Sequence, residues 1–526
     1  MAERVLIVGG GIAGLTAGIY AAKAGHAVTI LEKNEKCGGL VNSFVRDGFL
    51  FDGGTRALEG FLFPLLKDIG LNMEYIRTPV SLGIEDTIIR VENEADIDAY
   101  RHILERLYPN SLNEIARIFK PIKKMGRFLK GVNRVMSTKK GIGYLFTERL
   151  PGLLAMLANI GVLITMNTPI EQYFTRVLGV TNQSLIDSII QHFFKGTPAF
   201  FALGYLYLYP DYIYAQGGTG MLAVTIEEKT REYDITIQRA VRVVKVLLAE
   251  KAVVDVEGRR YTYDKLIWSA DLKTLYRCTE TAGLDTQHHA AFLAEKEKIL
   301  AHRGAESIFT LYIAVDEDPE YFAKISTSHL FYTPSRQGLG SLVHEEQLYI
   351  IEHWDELPRK KIFEWLERLV HYNTFEVAIP VLKTPDAAPP HQTGIIISFL
   401  FAYEIAKKAR DAGWYDELKE RVSHYIVSTI SESLYKGFEK KILFTFASTP
   451  LTIEEMSGSS EGAVIGWSME TPSPVTSSML QMTKAVQTSL PDVFKAGQWT
   501  MSPAGIPTAV MTGQLAAAAI KTKRRH

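Results

Sequence analysis

Short apolar runs interrupted by glycine set the pattern at the start of the chain. Arg4-Val-Leu-Ile-Val8 is apolar and β-branched, and it reads as a buried parallel strand. Glycines follow at once, and then residues 15–24, rich in alanine and stopped by Gly25, predict a helix. Residues 26–31 predict a second strand that ends in the acid Glu32. Further on, residues 235–244 and 265–271 predict strands, the first preceded by a helical stretch after Gly220. An alanine-rich helix runs to Ile520.

Nine aromatic residues crowd into positions 193–214. Phe200, Phe201 and the alternating Tyr205, Tyr207 and Tyr209 predict a strand with one aromatic face, which either packs in a core or walls an apolar tunnel. Two stretches carry no charge, residues 150–170 and 496–520. Each passes a length test for a membrane-spanning helix, but prolines and glycines interrupt both. The second reads as loop and helix. The first, preceded by Lys139, Lys140 and Arg149, reads as a buried segment or a shallow dip into an anionic membrane.

Composition narrows the field. With 526 residues the chain has room for two to four domains. Its net charge of −1 argues against a general nucleic-acid binder. Cys37 and Cys278 cannot staple a chain of this length, so a reducing compartment is expected and no disulfide framework. No signal peptide opens the chain, and the expected location is cytoplasmic, with peripheral contact at the inner membrane face if residues 150–170 dip into a membrane.

The chemistry is concentrated in glycine motifs. Gly9-Gly10-Gly11-Ile12-Ala13-Gly14 matches G-x-G-x-x-G at Gly9, Gly11 and Gly14, between a predicted strand and a predicted helix. Glu32 stands 18 residues after Gly14, placed to accept hydrogen bonds from a ribose diol. The glycines let the backbone approach a pyrophosphate, and the helix N-terminus favours an anion by about 0.3–1 kcal/mol. This segment is expected to bind a dinucleotide. No second such motif occurs, since Gly218-Thr-Gly220 lacks the third glycine. Electrons are therefore expected to leave to a diffusible acceptor such as oxygen or a quinone, or to return to the substrate in an isomerisation.

Beyond Glu32 stand Cys37-Gly38-Gly39-Leu40 and then Phe51-Asp52-Gly53-Gly54-Thr55. Together with the first motif, these resemble the extended N-terminal fingerprint of flavin amine oxidases and phytoene desaturases. Many of those relatives have Arg where Leu40 stands. Near the other end, Gly497-Gln498 and Pro503-Ala-Gly505-Ile506-Pro507 resemble the C-terminal FAD motif of the phytoene desaturase, carotenoid isomerase and retinol saturase group, with Gln498 in place of the more usual Asp. Mid-chain, Gly217-Gly218-Thr-Gly220-Met-Leu222 followed by Val241 matches the family pattern in which a valine backbone meets the adenine. The resemblance runs over most of the chain and is weakest over residues 90–211.

The resemblance implies an α/β fold, a Rossmann-like FAD-binding domain interleaved with an α+β substrate domain. The FAD domain is expected from residues 1–90, 211–275 and 451–526, and the substrate domain from 91–210 and 276–450. Gly9, Gly11, Ile12, Ala13, Gly14, Glu32, Gly38, Gly39, Leu40, Gly54, Thr55, Val241, Gly497, Gln498, Gly505 and Ile506 are the expected cofactor contacts. The implied activity is desaturation, saturation or cis–trans isomerisation of a long apolar, isoprenoid substrate. A polyene needs no polar anchor: at roughly 0.8 kcal/mol per buried CH₂, about ten such groups contribute ~8 kcal/mol by transfer alone. Two rivals remain, a non-catalytic prenyl-lipid carrier of the GDP-dissociation-inhibitor type and a flavin amine oxidase.

No metal site is expected. His288-His289 sit in a polar stretch beside Asp285 and read as a solvated loop, and no nucleophile elbow occurs. His192, His329 and Glu345 are acid–base candidates that spacing cannot rank, so no catalytic side chain is assigned.

Overall fold

The computed structural model describes residues 2–60, 62–71, 73–136, 145–477 and 481–520. Its organising element is a five-stranded parallel sheet in the order Thr236–Gln238, Ala27–Leu31, Arg4–Val8, Lys265–Trp268 and Val493–Lys495. The interior strands Arg4–Val8 and Lys265–Trp268 are apolar after their first residue because helices and a further apolar layer cover both their faces. The helices Ile12–Lys23 and Ile506–Ala519 pack together over one face. They touch closely at Gly513, where a Cβ would lie 2.6 Å from the Ala13 carbonyl oxygen. The first and last elements of the chain thus share one core.

A seven-stranded sheet forms the second body, in the order Ile442–Ser448, Ser307–Val315, Thr393–Phe401, Phe375–Ala378, His329–Thr333, Val80–Ile84 and Thr87–Val91. Its two long strands pair antiparallel without a break from Ser307 opposite Phe401 to Val315 opposite Thr393. One face is covered by the helices Arg359–Tyr372 and Tyr415–Ser433 in a large apolar core. Toward the other face lie Phe49, Phe51 and Tyr312 from a smaller aromatic cluster. A smaller three-stranded sheet has the order Leu58–Glu59, Tyr212–Ala215 and Tyr75–Arg77.

The aromatic run is a helix, Ala199–Leu208, rather than the expected strand. It is apolar all round, because the core covers one side and a cavity borders the other, so period-2 alternation among its tyrosines carries no strand signal. Residues 150–170 form two short helices, Leu150–Asn159 and Gly161–Thr165, and no described helix is long and apolar enough to cross a membrane. The two helices of this stretch are largely exposed, Leu154 by 59% and Ile164 by 77%, whereas Met166 and Ile170 after them are buried. Lys139 and Lys140 lie outside the described residues. His288 and His289 lie in the first turn of the helix Thr286–Ala301, not in a loop, and Asp285 caps that helix by accepting from the His288 N–H at 2.8 Å.

Candidate active site

One cavity of about 1970 Å³ runs between the two bodies. Of the sixteen expected cofactor contacts, all line it except Gly14, which acts from behind. The first strand ends at Val8, and Gly11 precedes the helix Ile12–Lys23 with no side-chain cap, so first-turn N–H groups remain available. Gly14 sets how tightly the turn closes, since a Cβ there would lie 1.9 Å from the Gly9 carbonyl oxygen. Glu32 is buried and accepts from the Gly10 N–H at 2.7 Å and the Asn34 N–H at 2.9 Å, one bond to each carboxylate oxygen. The acid therefore also holds the glycine turn in place.

Val241 lies beside this acid, its N–H donating to the Glu32 carbonyl at 2.8 Å. It sits in the bend between the strands Thr236–Gln238 and Val243–Leu247, not inside one strand. Those strands belong to different sheets, and the chain must leave one before it enters the other. The second glycine pair packs on the first: the Gly38 N–H donates to the Gly10 carbonyl at 2.9 Å. Cys37 stands next to it, and burial pushes its thiol up to about 12, which leaves it protonated and unreactive.

From the far end of the chain, Gly497, Gln498, Gly505 and Ile506 face the same space. Gly505 precedes the helix Ile506–Ala519, again without a side-chain cap. The Gln498 amide donates to Ser459 Oγ at 3.1 Å and to the Ala463 carbonyl at 3.2 Å, leaving Oε1 as its remaining acceptor.

The other arm of the cavity is walled by Phe193, Phe194, Phe200, Phe201, Tyr205, Tyr207, Tyr209 and Tyr212. His192 and His329 lie in this wall, whereas Glu345 is exposed on the helix Gly340–Glu352. His329 Nε2 lies 2.9 Å from Glu376 Oε1. Burial raises the Glu376 carboxyl, but the His329 hydrogen bond and the cations of Arg56 and Lys383 outweigh it, so the group sits below the usual carboxylate range. Burial lowers the His329 imidazole, outweighing the Glu376 carboxylate, which raises it. His192 is driven down to about 4 by burial, and neither of its ring nitrogens has a hydrogen-bond partner among the described residues.

Between the two arms lies a buried charged junction that the sequence reading missed. Asp52 accepts from Ser43, Tyr214 and both the N–H and hydroxyl of Thr219, at 2.7 to 2.9 Å. Arg56 donates to the Asp52 carbonyl and, at 3.0 Å, to Ser398 on the seven-stranded sheet. The Lys383 ammonium donates to the Arg56 carbonyl at 2.9 Å and lies 4.0 Å from the Tyr214 ring centroid. Burial pushes that ammonium down to about 8. Arg56 follows the Gly53-Gly54-Thr55 motif directly, and Glu376 is a lone charge in the apolar run 375–379; those positions were the available signals.

Residues 7–69 match the NAD(P)-binding Rossmann-like domain family. Among solved structures, an oxidoreductase from Methanosarcina mazei superposes with a TM-score of 0.58 at 12% identity, over 98% of this chain and all of the other. A putrescine oxidase bound to putrescine gives 0.59 at 12% identity over 99% of both chains. Reduced UDP-galactopyranose mutase gives 0.56 at 12% identity, over 99% of this chain and 94% of the other. The fold shared with these structures is thus a Rossmann-like domain joined to a mixed second domain. In sequence the chain is similar to carotenoid desaturases and oxygenases. It is 22% identical to a 4,4'-diapophytoene desaturase (4,4'-diaponeurosporene-forming) of Staphylococcus aureus over 97% of each chain. A 4,4'-diaponeurosporene oxygenase of Staphylococcus haemolyticus is 23% identical over 88% of this chain and 87% of its own.

Proposed function

We propose that this chain is an FAD-dependent oxidoreductase acting on a long apolar unsaturated substrate of isoprenoid type, by desaturation, saturation or isomerisation. The observation that carries the reading is the single cavity that joins the glycine turn to an aromatic arm. In this reading residues 1–90, 211–275 and 451–526 build the FAD domain, lending the strands Val80–Ile84 and Thr87–Val91 to the substrate sheet. The whole-length likeness to carotenoid desaturases and oxygenases supports the substrate class.

The residues present suit FAD. Two helix N-termini without side-chain caps open onto the cavity, from Gly11 and from Gly505, and suit electron-rich oxygens at two separate places along an extended cofactor. A Cβ at Gly11 would meet nothing within 4 Å, so there is room for a pyrophosphate against the backbone. Glu32 and Val241 would hold the ribose and adenine. When bound, FAD supplies a two-electron acceptor or donor. The chain's own contribution is placement: the aromatic arm aligns a polyene and keeps water from it, and the Asp52–Arg56–Lys383 junction fixes the two bodies relative to each other.

The exposed apolar helices beside the cavity supply an entry surface. Leu163 and Phe201 line the cavity and are also exposed, next to Leu154, Leu157 and Ile164. An oily substrate reaches such a mouth most directly from a bilayer, so peripheral membrane contact belongs to the proposal. A purified protein that is yellow, or becomes so with added FAD, and bleaches with dithionite is the expected result. A colourless protein that cannot be loaded with FAD contradicts the reading and favours a lipid carrier.

A further inference from the structure

The aromatic arm is not uniformly apolar. Tyr205, Tyr209 and Tyr212 stand together there, with ring centroids 5.7 to 6.5 Å apart, and no hydrogen bond ties their hydroxyls to the described residues. Tyr212 lies 5.9 Å from the His329 ring, and His329 in turn holds Glu376 Oε1. The other carboxylate oxygen, Oε2, has no partner among the described residues, and the Glu376 side chain keeps 31% of its surface open to the cavity. Three phenolic donors and one free carboxylate oxygen thus converge on a channel otherwise suited to hydrocarbon.

Buried polar groups in proteins are nearly always hydrogen-bonded, and covering one without a partner is costly. A plain hydrocarbon in this arm would desolvate Glu376 and the phenols and return nothing. A cationic head is also a poor match, because the charges of Arg56 and Lys383 already stabilise the Glu376 carboxylate. A hydroxyl satisfies both sides, since it donates one hydrogen bond and accepts others. Building on the oxidoreductase reading above, we infer that the substrate carries an oxygen function, a hydroxyl on an isoprenoid chain, which donates to Glu376 Oε2 and accepts from the Tyr205–Tyr209–Tyr212 cluster. Glu376 and the tyrosines act here as specificity-determining residues.

The test uses three C20 conjugated polyenes on one skeleton: the hydrocarbon, its terminal alcohol and its terminal amine. Binding to the FAD-loaded protein is read by quenching of tryptophan fluorescence, with Trp268 and Trp499 in the cavity wall. The alcohol is expected to bind at least about tenfold tighter than the hydrocarbon, and the amine no tighter than the alcohol. In Glu376→Leu that preference should fall to within about threefold, without weaker hydrocarbon binding, and Tyr209→Phe with Tyr212→Phe should reduce it by at least about threefold. If Glu376→Leu fails to fold, the double phenylalanine variant decides alone. Equal or tighter binding of the hydrocarbon, tighter binding of the amine, or an alcohol preference that survives the variants overturns the inference. If the hydrocarbon binds equally and bleaches the flavin anaerobically, the oxygen subsite falls while the oxidoreductase reading stands. If none of the three binds, both fall.

Discussion

The Tyr214 hydroxyl donates a 2.8 Å hydrogen bond to Asp52 Oδ2, joining residues 162 positions apart beneath the floor of the cavity. Asp52 is fully buried and also receives Ser43 and two donors from Thr219. Removing the acceptor strands several donors, whereas removing one donor leaves the others in place. Asp52→Ala should therefore cost about 3 kcal/mol or more, and Tyr214→Phe about 1–2 kcal/mol, in denaturant unfolding. Equal costs for the two variants would contradict this order.

Gly11 separates folding from cofactor binding. Its backbone has φ −72°, which alanine adopts freely, and the added methyl meets no protein atom within 4 Å. Gly11→Ala should unfold at the same temperature as the parent without cofactor, yet retain much less FAD. Full flavin content in this variant would remove the pyrophosphate from the glycine turn.

His192 gives the chain an acid-side weakness. Its imidazole is held down to about 4 in the folded state against an ordinary 6.5, so the unfolded chain binds the proton more readily. Stability should then fall as pH drops from about 6.5 to about 4, by up to about 3 kcal/mol. His192→Phe should abolish that part of the decline. Parallel pH–stability curves for parent and variant would show that the ring is solvated.

The apolar helices beside the cavity mouth give a membrane prediction. Leu154→Glu with Ile164→Glu should leave the thermal unfolding temperature unchanged, since both side chains are exposed, and should lower the fraction that pellets with anionic liposomes. Equal pelleting of parent and variant would remove the bilayer from the account.

What could be read from the sequence was local, and what could not was assembled. The glycine turn, its flanking strand and helix and Glu32 lie within one short stretch, and the spacing alone specified them. The C-terminal glycines were legible because they too precede a helix, and the structure brings both motifs to one cavity. Tyr205, Tyr207 and Tyr209 misled because a helix apolar on every side leaves no 3.6-residue period to set against their alternation. Val241 was assigned to a strand because apolar spacing does not reveal where a chain changes sheets. The Asp52–Arg56–Lys383–Glu376 junction draws on two distant segments, 52–56 and 376–383, each contributing one acid and one cation. Such a cluster exists only once those two segments are brought together.

The central claim is that a flavin in this cavity exchanges electrons with a long polyene. Its most direct test is anaerobic incubation of the FAD-loaded protein with a panel of isoprenoid polyenes and their alcohols, following the flavin spectrum and the product mass together. The account predicts flavin bleaching with loss of two hydrogens from a member of the panel, uptake of two hydrogens when the flavin is reduced beforehand, or an isomer of unchanged mass formed only with FAD present. An unchanged flavin spectrum and unaltered compounds across the panel, alongside hydrogen peroxide release from polyamines in air, would contradict it.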